Sequence, residues 1–92
     1  GAFKFERIDL HLDEADKMRI MESCKNDEYS QFGFYKVERI EKVDGFKFYF
    51  ANDEWVMIRP SGTEPVLRTY AESSTTEGAF KILKAVHETI NG

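Results

Sequence analysis

The sequence predicts a single α+β domain spanning residues 1–92, a two-layer sandwich in which two helices cover a mostly antiparallel four-stranded sheet. Three stretches carry that prediction. Ser74-Thr75-Thr76-Glu77 reads as a capping box, with Ser74 as N-cap and Glu77 at the third helical position. Ala79, Phe80, Ile82, Leu83, Val86 and Ile90 then recur at helical spacing through Asn91. Asp44-Gly45 is a two-residue hairpin signal, and Phe46, Phe48 and Phe50 alternate with Lys47 and Tyr49 after it, the period of a half-buried strand. Asp13 offers an N-cap, with Glu14 and Asp16 at the positive end of the helix that it opens.

The remaining elements follow in chain order. Phe3–Leu12 alternates loosely and forms either an opening strand or an extended connector. The first helix runs from Asp13 to about Lys25, with Ala15, Met18, Met21 and Cys24 expected on its inner side. Asn26–Gly33 is polar and reads as a loop. Phe34–Val43 has apolar residues every three positions rather than every two; as the first arm of the Asp44-Gly45 hairpin it is expected to be a strand, with or without a bulge. Asn52-Asp53-Glu54 is a turn, Trp55–Arg59 a short buried strand, and Val66–Glu72 the strand that leaves the segment between them. Asn91-Gly92 is a helix stop, and the leading Gly1 reads as a processing scar or the start of an excised domain.

Composition narrows the function. At 41% hydrophobic and 14% aromatic residues the chain has enough apolar surface to fold without staples. One cysteine excludes an internal disulfide or a Cys-based zinc cluster and fits a reducing, cytoplasmic setting. A net charge of −4 argues against a general binder of nucleic acid or anionic membrane, and no apolar run reaches membrane-spanning length. Asp9, His11 and Asp13 alternate along one strand face, but three ligands so close on one strand rarely converge on one metal, so they read as surface residues. His87 near the end of the last helix reads as structural, where a partial positive charge is favoured. No Ser-His or Cys-His pairing and no Gly-rich lysine loop is present, so no catalytic residue is assigned.

Residues 59–68, Arg-Pro-Ser-Gly-Thr-Glu-Pro-Val-Leu-Arg, carry the functional signal. Arg59 and Arg68 offer forked donors that match phosphate oxygens, and Ser61 and Thr63 each add a hydroxyl. Gly62 lets its N–H approach a ligand closely and permits a turn with φ > 0, in which successive N–H groups form an anion nest. Pro60 and Pro65 stiffen the two ends. On strand parity Arg68 leaves the face opposite Leu67, where it either reaches the anion or pairs with Glu72 or Glu64.

Arg59-Pro60-Ser61-Gly62-Thr63-Glu64-Pro65 resembles the phosphate-binding loop in the fourth and last domain of the α-D-phosphohexomutases, the superfamily of phosphoglucomutase and phosphomannomutase. Arginine at position 68 fits one branch of that motif; other members carry lysine there. The resemblance implies a fold like that of the TATA-binding protein. It also implies a parent enzyme that interconverts hexose 1-phosphate and 6-phosphate through a phosphoserine and a bisphosphate intermediate, with a glucose-type or dual-specificity parent preferred. The family's phosphorylatable serine and Asp-rich magnesium loop do not occur in these residues, which implies that magnesium is bound by another domain and that this one holds no cofactor. Its partners would then be a hexose phosphate and the other domains of the enzyme. A stand-alone module for a phosphorylated small molecule is the alternative; a nucleic-acid module rests on fold analogy alone and conflicts with the acidic charge.

Overall fold

The computed structural model describes residues 3–92; Gly1, read above as a scar or a domain start, lies outside that range. The chain runs β1 (Lys4–His11), α1 (Glu14–Lys25), β2 (Gln31–Phe32), β3 (Tyr35–Lys36), β4 (Arg39–Glu41), β5 (Phe46–Tyr49), β6 (Trp55–Pro60), β7 (Val66–Ser73) and α2 (Thr76–Asn91). Five strands form one antiparallel sheet in the order β1-β7-β6-β5-β4, and β2 and β3 make a separate small hairpin. The α+β expectation holds, with five strands in the main sheet where four were predicted. The additional strand is accounted for at the start of the chain: Lys4–His11, within the stretch Phe3–Leu12, is a full strand paired with β7 over eight residues from Lys4↔Ser73 to His11↔Val66.

Both helices pack on one face of the sheet around a single core. Ile58, Val56, Leu67, Ala71 and Phe48 point inward from the strands and meet Ile20 and Cys24 of α1 and Ala79, Ile82, Leu83, Val86 and Ile90 of α2. Two inner-face expectations are corrected. Met18 is 64% exposed and Ala15 is exposed; the inner stripe of α1 is Lys17, Ile20, Met21 and Cys24. Phe80 is also exposed, because the buried arc of α2 is already filled by Ala79, Ile82 and Leu83. Asp13 caps α1 as expected, its carboxylate accepting the Asp16 N–H at 2.8 Å. The cap of α2 falls one residue later than predicted. Thr75 accepts the Gly78 N–H at 2.8 Å, since β7 runs on through Ser73, whose hydroxyl donates to Glu54.

The segment predicted as one strand is broken. Gly33 at φ +56° turns the chain so that Phe34 stands at a hairpin tip, 98% exposed, while Phe32 goes into the core edge-on to Phe48 with ring centroids 5.0 Å apart. This places a short strand inside the stretch expected as loop. Only Arg39–Glu41 then joins the sheet, and the connection to β5 spans Lys42–Gly45 rather than two residues. Lys42 leaves the ladder to donate to Lys25 O at 3.1 Å and to pair with Asp27 at 2.8 Å.

Cys24 in the core and the half-buried His87 have altered proton affinities. Burial pushes the Cys24 thiol up to about 12, so it stays protonated and inert. Thr69 donates its one hydroxyl proton to Ile8 O at 2.6 Å, so at 2.8 Å from His87 Nε2 the same oxygen accepts, and Nε2 carries the ring proton. Burial lowers the His87 pKa below 6.5, the reverse of the cation-at-helix-end expectation.

Two outcomes are expected. His87 stays neutral in the fold, so its contribution is intact above the unfolded value near 6.5 and is lost as pH falls from there through the folded value, where the unfolded chain binds the proton first. Thermal melts should show Tm falling between about pH 7 and pH 5, and His87→Gln should flatten that slope. Gly45 sits at φ +124°, and a Cβ there would lie 2.9 Å from Ile58 O. Gly45→Ala should therefore cost about 1–3 kcal/mol, read as a Tm drop of roughly 4–8 °C per kcal/mol.

Candidate functional site

The Arg-Pro-Ser-Gly-Thr-Glu-Pro segment closes the β6–β7 hairpin. The ladder pairs Arg59 with Arg68 and Pro60 with Leu67, and the Ser61 N–H donates to Val66 O at 3.0 Å just beyond it. Ile58 and Leu67 point into the core, so strand alternation sends both guanidinium groups to the face away from the helices. Arg59 is exposed and Arg68 half-buried.

Like charges directly opposite each other in a ladder are unfavourable unless an anion lies between them. None of the ion pairs among the described residues involves either arginine. Glu72, one expected partner of Arg68, instead accepts the Trp55 Nε1–H at 3.2 Å. Asp9, opposite Arg68 on the β1 side, is held by a two-pronged bond from Arg7 at 3.0 and 2.9 Å. Those bonds keep its carboxyl below the usual carboxylate range, and the Arg68 charge adds to the effect. Arg68 Nε is buried and has no hydrogen-bond partner, a state that costs about 1–3 kcal/mol. The pairing alternative for Arg68 is not the arrangement that the fold makes.

Within the loop the predicted residues separate. Ser61 is buried, and its hydroxyl oxygen accepts the Thr63 N–H at 3.4 Å and the Glu64 N–H at 3.2 Å. With both lone pairs used, the hydroxyl can act only as a donor. Gly62 and Thr63 are exposed. The φ > 0 expectation for Gly62 is not met, and a Cβ built there would meet nothing within 4 Å. Its glycine is thus required neither by backbone strain nor by the protein's own packing. The row of outward N–H groups expected of a nest is also reduced, because the Ser61, Thr63 and Glu64 amides bond internally.

Sequence reasoning missed Lys17. From the inner stripe of α1, 9% exposed, its ammonium donates to Ser61 O at 2.7 Å and to Glu64 O at 3.0 Å, with Glu14 at 3.7 Å. The signal was available: Lys17 lies three and seven residues before Ile20 and Cys24, on a helix face otherwise apolar. The Leu12 N–H adds a bond to Pro65 O at 3.2 Å, so α1 and the connection that leads into it both brace the loop from behind.

No three His, Cys, Asp or Glu side chains come together as a metal site among the described residues. Asp13 caps α1 and Asp9 is engaged by Arg7. A groove of about 540 Å³ between Phe34, Tyr35 and the Lys81–Thr89 side of α2 shares no lining residue with the loop, which stands open at the end of its hairpin. What the arrangement can do chemically is bind an anion from one side.

Residues 10–89 match the family model for the phosphoglucomutase/phosphomannomutase C-terminal domain. The chain belongs to that family. It is 45% identical over 58 residues to a probable phosphoglucosamine mutase of Methanosphaera stadtmanae, a match covering 63% of this chain and 13% of the relative. Two proteins of Thermococcus kodakarensis are also similar. One is a phosphopentomutase, 29% identical over 56 residues, or 61% of this chain and 12% of the relative. The other is a phosphoglucomutase/phosphomannomutase, 38% identical over 58 residues, or 59% and 12%. The chain thus spans about an eighth of the length of these curated relatives. No helix among the described residues is long and apolar enough to cross a membrane.

Because Arg68 has an orphaned donor and a like charge opposite, its removal should not weaken the free domain. Arg68→Leu in phosphate-free buffer is expected to keep or raise stability, by up to about 1 kcal/mol, read by thermal melting. A large drop in Tm would mean that Arg68 is a structural residue.

Proposed function

We propose that this domain binds the substrate phosphate in a larger, four-domain phosphohexomutase, through Arg59, Ser61, Gly62, Thr63 and Arg68. The observation that carries the reading is the pair of arginines facing each other across β6 and β7, neither in an ion pair among the described residues, one with an orphaned Nε, beside an open glycine. A phosphate dianion supplies the missing charge and acceptors in one ligand. The parent would interconvert hexose 1-phosphate and 6-phosphate, with phosphoserine and magnesium contributed by other domains and the whole enzyme cytoplasmic. Here the domain holds the phosphate that is not being transferred.

Its contribution is positioning and neutralisation of charge. The relatives' names span phosphoglucosamine, phosphopentose and phosphoglucose or phosphomannose mutases. A loop that contacts only phosphate suits all of them, with selection of the sugar made elsewhere. An open loop on a hinged terminal domain also fits closure over the substrate, which would exclude water.

In the full-length parent, Arg59→Ala should lower kcat/KM for glucose 1-phosphate at least tenfold, since charge-assisted bonds of roughly 1.5–3 kcal/mol are lost. Lysine at 59 should restore only part, because a point charge lacks the fork. Normal kcat/KM in Arg59→Ala, with unchanged Tm, removes the loop from the active site. The 92-residue chain alone should show no turnover in a coupled assay with glucose 1-phosphate, bisphosphate activator and magnesium, and should bind glucose 6-phosphate on the order of millimolar in an NMR titration.

A further inference from the structure

The loop's one uncommitted amide is Gly62. The Ser61 N–H is bonded to Val66 O, and the Thr63 and Glu64 N–H groups are bonded to Ser61 Oγ. Among the described residues the Gly62 N–H has no recorded acceptor. Its direction is set by the neighbouring carbonyl. In a trans peptide the C=O of one residue and the N–H of the next point in opposite directions, and no described peptide bond is cis. The Ser61 carbonyl points at Lys17 Nζ, 2.7 Å away in the helix layer. The Gly62 N–H is therefore turned away from Lys17, which leaves it open toward the side on which Arg59 and Arg68 leave the sheet. The empty space at the Gly62 Cβ position leaves that approach clear.

We propose that Lys17 is the positioning residue of this loop: by gripping the Ser61 carbonyl from behind, it aims the Gly62 N–H at the bound phosphate. The inference rests on the phosphate-binding reading above. Lys17 touches no ligand itself. Its second bond, to Glu64 O at 3.0 Å, fixes the far side of the turn, and the following residue is Pro65, which has no N–H to aim. Only the Ser61–Gly62 peptide thus converts the lysine's grip into a donor for the anion. Without the ammonium the Ser61 carbonyl loses its anchor, and the donor is held less firmly in place before the ligand arrives.

The test is an amide NMR titration of the 92-residue chain with inorganic phosphate, comparing wild type, Lys17→Met and Lys17→Arg. In wild type the Gly62 amide should shift most. In Lys17→Met the Gly62 shift should collapse and Kd should rise about tenfold, the loss of one charge-assisted bond, while amides of β1 and α2 keep their positions. Arginine should restore the Gly62 shift in part. A role in stability alone would lower Tm yet leave Kd and the Gly62 response unchanged well below the transition; that result overturns the proposal. Hydrogen exchange on wild type gives an independent reading should Lys17→Met fail to fold. The Gly62 amide should exchange freely without phosphate and become protected at saturation, and protection already present without phosphate overturns the proposal as well. Wild type in which no loop amide responds to phosphate removes the phosphate reading itself, whereas wild-type binding with an unaltered Lys17→Met response removes only the lysine.

Discussion

Strand β7 is the constraint on which the rest depends. It is paired on both edges, to β1 over eight residues and to β6 over six, and one of its faces is packed under the helices. Leu67, Thr69, Ala71 and Ser73 all point into the buried side. A slip of one residue would send Arg68, Tyr70 and Glu72 into the core, so the register is strongly specified. The position of Arg68 opposite Arg59 follows from that register and does not require the arginines to attract anything. The core holds them there against their mutual repulsion.

This division separates what stabilises the domain from what it presents. The helix-side face is apolar, with its polar members bonded: Thr69 between Ile8 O and His87, and Lys17 on two carbonyls. The other face carries a row of charge across three strands, Asp9, Arg68 and Arg59, with only Asp9 neutralised locally. Local consistency is broken at the end of the β6–β7 hairpin, and unsatisfied groups of this kind concentrate at functional sites.

Much of this was legible in the sequence, and the reasons are specific. The aromatic alternation of Phe46–Phe50 and the helical spacing of Ala79–Ile90 report periods that burial enforces. The seven-residue Arg59–Pro65 motif was readable as a mark of the family, and the family model over residues 10–89 bears that out. Phe34–Val43 misled because Gly33 and Lys42 each leave the ladder for tertiary reasons: one lets Phe32 reach Phe48, the other reaches Lys25 O and Asp27. Lys17 was missed for a related cause. A lysine on an apolar stripe scores as a break in the pattern, and only the carbonyls of a loop 44 residues away make its burial favourable.

The buried Cys24 gives the domain a built-in clock. Its thiol is inaccessible, and its proton affinity, pushed up to about 12, leaves almost no thiolate at neutral pH. An alkylating reagent can reach it only when α1 lifts from the sheet. Cys24 and Lys17 lie two helical turns apart on the same inner stripe, so the opening that exposes the sulfur also releases the Ser61 carbonyl. With α1 opening as one unit, the rate of thiol modification reports how often the Arg59–Pro65 loop loses its support from behind, and anything that locks the loop onto α1 would slow the chemistry of a sulfur it never touches.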